Sequence, residues 1–121
     1  MREPRAKIDF ETRSTVSLLK VGTWKYSQSP TTEILCLAFR LPHWPAQKTA
    51  LWHPDYTLLD DTTIDFDEVL ELFQWIQDGN LVEAHMAWFE FCMWRNIMVP
   101  RYGFPAIAHE QWRCSAAEAA A

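Results

Sequence analysis

Residues 6–12 read A-K-I-D-F-E-T, and the alternation within them decides how the rest of the chain is read. Ile8 and Phe10 fall on one side of an extended chain, Asp9 and Glu11 on the other. A period of two predicts a β-strand with one buried face. Further on, residues 33–41, E-I-L-C-L-A-F-R-L, form a nearly continuous apolar run, which predicts a strand covered on both faces. The two prolines of P-H-W-P-A after it mark a loop. Residues Lys48 to His53, K-T-A-L-W-H, supply a partner strand, giving an antiparallel hairpin. Between the first two strands, residues 13–32 have mixed polarity, with Gly22 and S-Q-S-P-T-T around Pro30, and read as an irregular connection or a short helical turn.

The second half carries helical periods. Asp65 followed by Glu68 fits a capping box, and Phe66, Val69, Leu70, Phe73 and Ile76 recur at helical spacing up to a stop at Gly79. Leu81 to His85 reads as a short strand. Ala87 to Met98 reads as a second helix, apolar all round and therefore buried, ended by Pro100. A strand follows near Gln111 to Cys114. Antiparallel strands first and βαβ units afterwards predict an α/β chain with a mixed sheet flanked by helices. Ser115 and Glu118 form a second S-x-x-E pattern ahead of a run of alanines, so a helix is announced where the 121 residues end. This end reads either as a frayed alanine tail or as a cut inside a longer domain, and the second predicts one sheet face left poorly covered, with an apolar patch and self-association.

Composition sets the outer limits. With 121 residues, 49% hydrophobic and 22% charged, the chain is a single domain's worth with an ordinary globular balance. No run approaches the ~20 apolar residues of a membrane span, and the N-terminus M-R-E-P-R-A-K lacks the apolar stretch of a secretory signal, so a cytoplasmic setting is expected. Cys36, Cys92 and Cys114 are far apart and read as buried, reduced thiols. The net charge of −5 hides an asymmetry: residues 55–90 hold ten acids and no Lys or Arg. Most of that block is a helix start and its approach loop. A chain this acidic is poorly suited to bind duplex DNA by counterion release alone, although Arg2, Arg5, Lys7 and Arg13 make a local basic start that could meet phosphates or simply be a solvated strand entrance.

Three carboxylates stand apart from the acidic block. Asp9 and Glu11, two residues apart on a strand, share a face with Cα atoms roughly 6.5–7 Å apart. Carboxylates so placed can share divalent cations, and two-metal phosphoryl chemistry wants ions about 3.5–4 Å apart. Carboxylate oxygen is also what Mg²⁺ or Mn²⁺ prefers. The pair by itself equally fits a solvated strand edge. Glu90 strengthens the metal reading, because it is the only charged residue between Glu83 and Arg95 in an apolar helix, where a carboxylate must reach solvent or find a cation.

In this context I-D-F-E-T-R-S at 8–14 resembles the first motif of the DEDD-type 3′–5′ exonucleases, and V-E-A-H-M-A-W-F-E at 82–90 resembles their second. V-G-T-W-K-Y-S, S-P-T-T-E-I-L-C-L-A-F, A-L-W-H-P and Q-W-R-C-S-A-A-E-A-A add to the likeness, which runs from about residue 6 to the C-terminus. The chain is similar to the N-terminal exonuclease domain of bacteriophage-type family A DNA polymerases. The resemblance implies a ribonuclease H-like fold, incomplete at its C-terminus, and a metal-dependent hydrolase that cuts nucleoside monophosphates from a single-stranded DNA 3′ end. It implies that Asp9, Glu11 and Glu90 are the catalytic residues that hold Mg²⁺ or Mn²⁺, and that Thr12 sits beside the 3′-terminal nucleotide.

Two features depart from the family pattern. Met86 stands where an Asn usually follows the histidine, and a thioether cannot replace the amide's hydrogen bonds. No Asp occurs after Asp78, so the third motif, a Tyr or His followed four residues later by Asp, is missing. The expectation is a single, partial exonuclease-like domain, weak or inactive as these 121 residues, whose partners include the missing exonuclease and polymerase regions. The alternative is a non-catalytic module of the same fold that binds nucleic acid or protein. His85 reads as a structural imidazole rather than a general base. Trp88 and Phe89 read as core, while Trp44 and Trp52 are freer to be exposed.

Overall fold

The strand built on A-K-I-D-F-E-T is the centre of the sheet. The computed structural model describes residues 3–54 and 64–120. Within them β1 (Arg5–Arg13), β2 (Glu33–Arg40), β3 (Ala50–Trp52), β4 (Leu81–Ala84) and β5 (Trp112–Cys114) form one sheet in the order β3-β2-β1-β4-β5. β1 pairs antiparallel with β2, and β2 with β3. β4 pairs parallel with β1, and β5 with β4. The chain is thus α/β, with an open mixed sheet flanked by helices, and every strand expected from the sequence is present.

Alternation along β1 sorts its side chains as the sequence requires. Ala6, Ile8 and Phe10 are buried, while Lys7, Asp9 and Glu11 are exposed. The buried side meets the helices: the Phe10 ring lies 6.1 Å from that of Trp94. Phe104 receives edge-on contacts from Phe73, Trp52 and Trp94, with centroids 4.7, 5.0 and 5.4 Å away. Such edge-to-face pairs add to the burial of large rings. Trp44 and Trp52, expected to be free, are both buried here. The Trp44 indole N–H donates to the Glu71 carboxylate at 3.2 Å, which removes the cost of burying it.

Three helical expectations change. The stretch 13–32 contains an eleven-residue helix, α1 (Leu18–Gln28), capped by the Ser17 hydroxyl and kinked at Gly22, where φ is 81° and ψ 164°. That conformation is open essentially to glycine alone, so the residue that looked like a breaker is a bend within one element. In α2 (Phe66–Gln77) the Asp65 side chain accepts from the N–H groups of Asp67 and Glu68, as the cap pattern predicts. Its buried residues are Val69, Leu72 and Ile76, whereas Phe66 and Leu70 are exposed. The acidic loop expected before it lies largely in residues 55–63, outside the described residues.

The second apolar helix does not stop at Pro100. α3 (Ala87–Met93) runs into a π turn (Trp94–Met98) and then α4 (Val99–Tyr102). Pro100 falls in the first turn of α4, where its missing N–H is tolerated. The stop is Gly103 at φ 73°, whose N–H donates to the Val99 carbonyl. This rod is not buried all round either, since Trp88 is 57% exposed. The announced last helix is α5 (Ser115–Ala120). Among the described residues the large exposed apolar side chains sit on or beside α1, α2 and α3. Among the described residues no helix is long and apolar enough to cross a membrane.

Candidate metal and phosphodiester site

The site forms where β1 outruns its neighbour. β4 pairs with β1 only from Arg5 to Lys7, and then ends at Ala84. The rest of β1 faces the helix that follows β4. Strand order also reverses here, with β2 and β3 on one side of β1 and β4 and β5 on the other. Crevices beyond the carboxyl ends of strands at such a switch point are where open α/β sheets bind ligands. On the β2 side the ladder skips Leu35 between the pairs Glu11–Cys36 and Thr12–Ile34. Bulges of this kind re-aim side chains and are common beside active sites.

Glu90, in the first turn of α3, is 5% exposed and accepts the Phe10 backbone N–H at 3.2 Å. That contact sets it against the residue lying between Asp9 and Glu11. Burial pushes the Glu90 carboxyl up to about 8, and repulsion from Asp9 and, more weakly, Glu11 adds to the rise, while the Phe10 N–H opposes it. Among the described residues no Lys or Arg offsets this charge. Folding therefore puts the Glu90 carboxyl within electrostatic reach of Asp9 and Glu11. No group of three or more His, Cys, Asp or Glu among the described residues is already arranged to hold a metal ion. The donor set nevertheless fits a hard divalent cation: all-oxygen, anionic, and lacking an internal counter-charge.

Thr12 is half-buried at the next turn of β1, and its hydroxyl shares a hydrogen bond of 2.8 Å with the Tyr26 phenol. The Tyr26 ring lies 6.3 Å from Phe89, next to Glu90. Tyr26 is not visible as a site residue in the sequence, because it falls in the segment read as an irregular connection or a short helical turn. Cys36, paired with Glu11 across the ladder, was also missed as a neighbour of the site. Burial raises its thiol, and Glu11 adds to the effect.

Other residues singled out lie elsewhere. His85 is exposed, with Nδ1 3.1 Å from the Ser115 hydroxyl. Met86 is exposed at the N-cap of α3, and its side chain makes no capping hydrogen bond. All three cysteines are free, but only Cys92 is buried, Cys36 and Cys114 being half-buried. The basic start is only partly open: Arg5 is buried, donating to Glu83 at 3.0 Å and to both oxygens of Glu118 at 2.6 and 2.9 Å, whereas Lys7 and Arg13 are exposed, Arg13 donating to Glu33 at 2.6 Å. Arg2 lies outside the described residues. Comparison of the chain with protein-family models, with curated proteins and with solved structures finds no match.

Proposed function

We propose that this chain carries the acidic, cation-binding part of a 3′–5′ exonuclease-type phosphodiester hydrolase acting on DNA 3′ ends, built on a ribonuclease H-like sheet. The single observation that carries the reading is Glu90: a buried carboxylate whose charge Asp9 and Glu11 disfavour, with no Lys or Arg among the described residues to offset it. Such an arrangement is costly for the bare protein and becomes favourable around a divalent ion. The antiparallel β1–β2–β3 start followed by parallel β4 and β5 accords with the ribonuclease H-like arrangement.

In this reading Asp9, Glu11 and Glu90 hold Mg²⁺ or Mn²⁺. When bound, such ions lower the pKa of water and stabilise charge on the phosphate and on the leaving 3′ oxygen. The chain's own contribution is positional. The Phe10 N–H fixes one Glu90 oxygen. Thr12, anchored through Tyr26, borders the place of the terminal nucleotide. Because Glu90 holds a proton near neutrality, cation binding releases it, so affinity rises with pH.

Melting with and without millimolar Mn²⁺, together with trimming of 5′-labelled single-stranded DNA, tests the reading. The expected result is a melting shift lost in Glu90→Gln and slow 3′ trimming lost in Asp9→Ala. Trimming is expected to be slow because three carboxylates stand where the resemblance implies four. Absence of both signals overturns the reading. Oligonucleotide binding without either signal points to a non-catalytic module.

A further inference from the structure

The first turn of α1 lies open to water. Residues 17–22, S-L-L-K-V-G, are all exposed, and Leu19 keeps 98% of its surface in solvent. Leu18 and Val21 are exposed beside it. A helical turn that offers three aliphatic side chains to solvent contributes little to the core and marks a contact surface. Its charge is one-sided. Residues 12–32 contain Arg13, Lys20 and Lys25 and no acid. Arg13 is drawn to Glu33, whereas Lys20 and Lys25 are exposed on the helix itself.

The complementary surface occurs on the same chain. α2 exposes Phe66 and Leu70, by 65% and 59%, one helical turn apart. α2 contains no Lys or Arg. Asp67 on the helix and Asp65 and Asp78 at its ends are exposed. Lys48, a cation that folding brings to this helix, is paired with Glu68 at 2.9 Å. One helix is thus apolar and basic, the other apolar and acidic. A partner of another kind would have to supply both hydrocarbon and opposite charge, and a second copy already carries both.

Position makes the contact intermolecular. α1 is tied to the carboxyl end of β1, where Tyr26 meets Thr12. α2 is tied to the other end, where Glu71 meets His43 and Trp44 just beyond the Arg40–Lys7 pair. From Lys7 to Thr12 the strand spans roughly 16 Å, and both faces remain exposed within one molecule. We propose that α1 of one molecule docks against α2 of the next, with Leu18, Leu19 and Val21 covering Phe66 and Leu70 and the lysines facing the acids of α2. Because the two faces differ, each molecule in a pair keeps one of them open, and association continues head to tail.

The test is sedimentation velocity of the 121-residue chain over a wide range of concentration, at low and high salt. Circular dichroism checks that each variant is folded. Expected are species that grow beyond a dimer with concentration and that weaken with salt. Leu19→Asp and Leu70→Asp, both at exposed positions, should each reduce association by about ten-fold or more. Each variant keeps the face that the other has lost, so an equimolar mixture of the two should form a heterodimer and grow no further. Lys20→Glu should weaken association without removing an apolar side chain, and mixing it with Asp67→Lys should restore the contact between the two. A chain that stays monomeric overturns the proposal, and sedimentation of that monomer with anionic phospholipid vesicles would assign α1 to a lipid surface instead. Association that Leu19→Asp abolishes and Leu70→Asp leaves as in wild type also overturns it, because α1 would then meet its own copy across a two-fold axis. So does a mixture of the two folded aspartate variants that remains monomeric.

Discussion

Phe10 donates its backbone N–H to the Glu90 carboxylate at 3.2 Å, across 80 residues of sequence. The bond exists because β4 stops pairing with β1 after Lys7, leaving that strand edge to be satisfied by the helix that follows β4. One contact thereby closes a strand edge and holds a third carboxylate within electrostatic reach of Asp9 and Glu11.

The first prediction concerns pH. In the folded chain Glu90 titrates near 8 against an ordinary value of 4.5, because of burial and then of Asp9 and Glu11. The folded state therefore keeps a proton that the unfolded state has lost between those values. Stability of the metal-free protein should fall as pH rises from about 4.5 to 8, with the full penalty present above that. In EDTA, Glu90→Gln should flatten this part of a urea-midpoint profile and be more stable than wild type at pH 8 or above. An unchanged slope in the variant would show that another group titrates.

Cation binding should reverse the same penalty. At a concentration about ten times its dissociation constant, a ligand that binds only the folded state adds roughly 1.4 kcal/mol. For a domain of this size that raises Tm by several degrees. Mn²⁺ added at pH 8 should produce such a shift in wild type, a smaller one in Glu11→Gln, and none in Glu90→Gln or Asp9→Ala. Thermal melts monitored by circular dichroism measure it.

Arg5 offers a test of what holds the C-terminal helix. Its guanidinium is buried between Glu83 and Glu118. Glu83 is the buried partner, so Glu83→Ala leaves the buried guanidinium paired only with the half-exposed Glu118 and should cost about 3 kcal/mol. Glu118 has a half-exposed side chain, so Glu118→Ala should cost no more than about 1 kcal/mol, and the loss should shrink in high salt. Urea denaturation of the two variants should rank them in that order. Equal losses would mean that α5, rather than the buried pair, carries the stability.

Backbone conformation predicts two further losses. Gly22 and Gly103 both have positive φ, with open space where a Cβ would go, so strain and not collision sets the cost. Gly22→Val should cost about 1–3 kcal/mol, because its φ and ψ lie outside every region open to branched side chains. Gly103→Asn, which tolerates the left-handed region, should be nearly neutral, and Gly103→Val should not. Chemical denaturation midpoints measure the difference.

Much of the fold was legible in residue order alone. Ile8 and Phe10 against Asp9 and Glu11, the apolar run Ile34–Phe39, the Asp65 cap and the Gly79 stop are local patterns, and each has a local cause in strand pleat, helix period or backbone geometry. Asp9, Glu11 and Glu90 were legible as candidates for the same reason, since a lone carboxylate in an apolar helix is conspicuous wherever that helix packs. The pairing partners were not legible. Glu68 and Glu118 look alike as third residues of capping boxes, yet the Glu68 carboxylate meets Lys48 at 2.9 Å and that of Glu118 meets Arg5, because cations brought close by folding outbid a local N–H. The tryptophans changed places for a related reason. Composition says that seven indoles must go somewhere, but which ones are covered depends on what lies opposite. Trp44 and Trp52 are covered by α2, Tyr102 and Phe104, while α1 bends at Gly22 and stacks Trp24 on Trp88 at the surface. The sequence by itself determined the five strands, the helix capped by Asp65 and the three candidate carboxylates, because short-range periodicity encodes them. Only the tertiary structure decided that Glu90 is buried against β1, that Arg5 is sealed and that two tryptophans face solvent, because those outcomes depend on which distant surfaces meet.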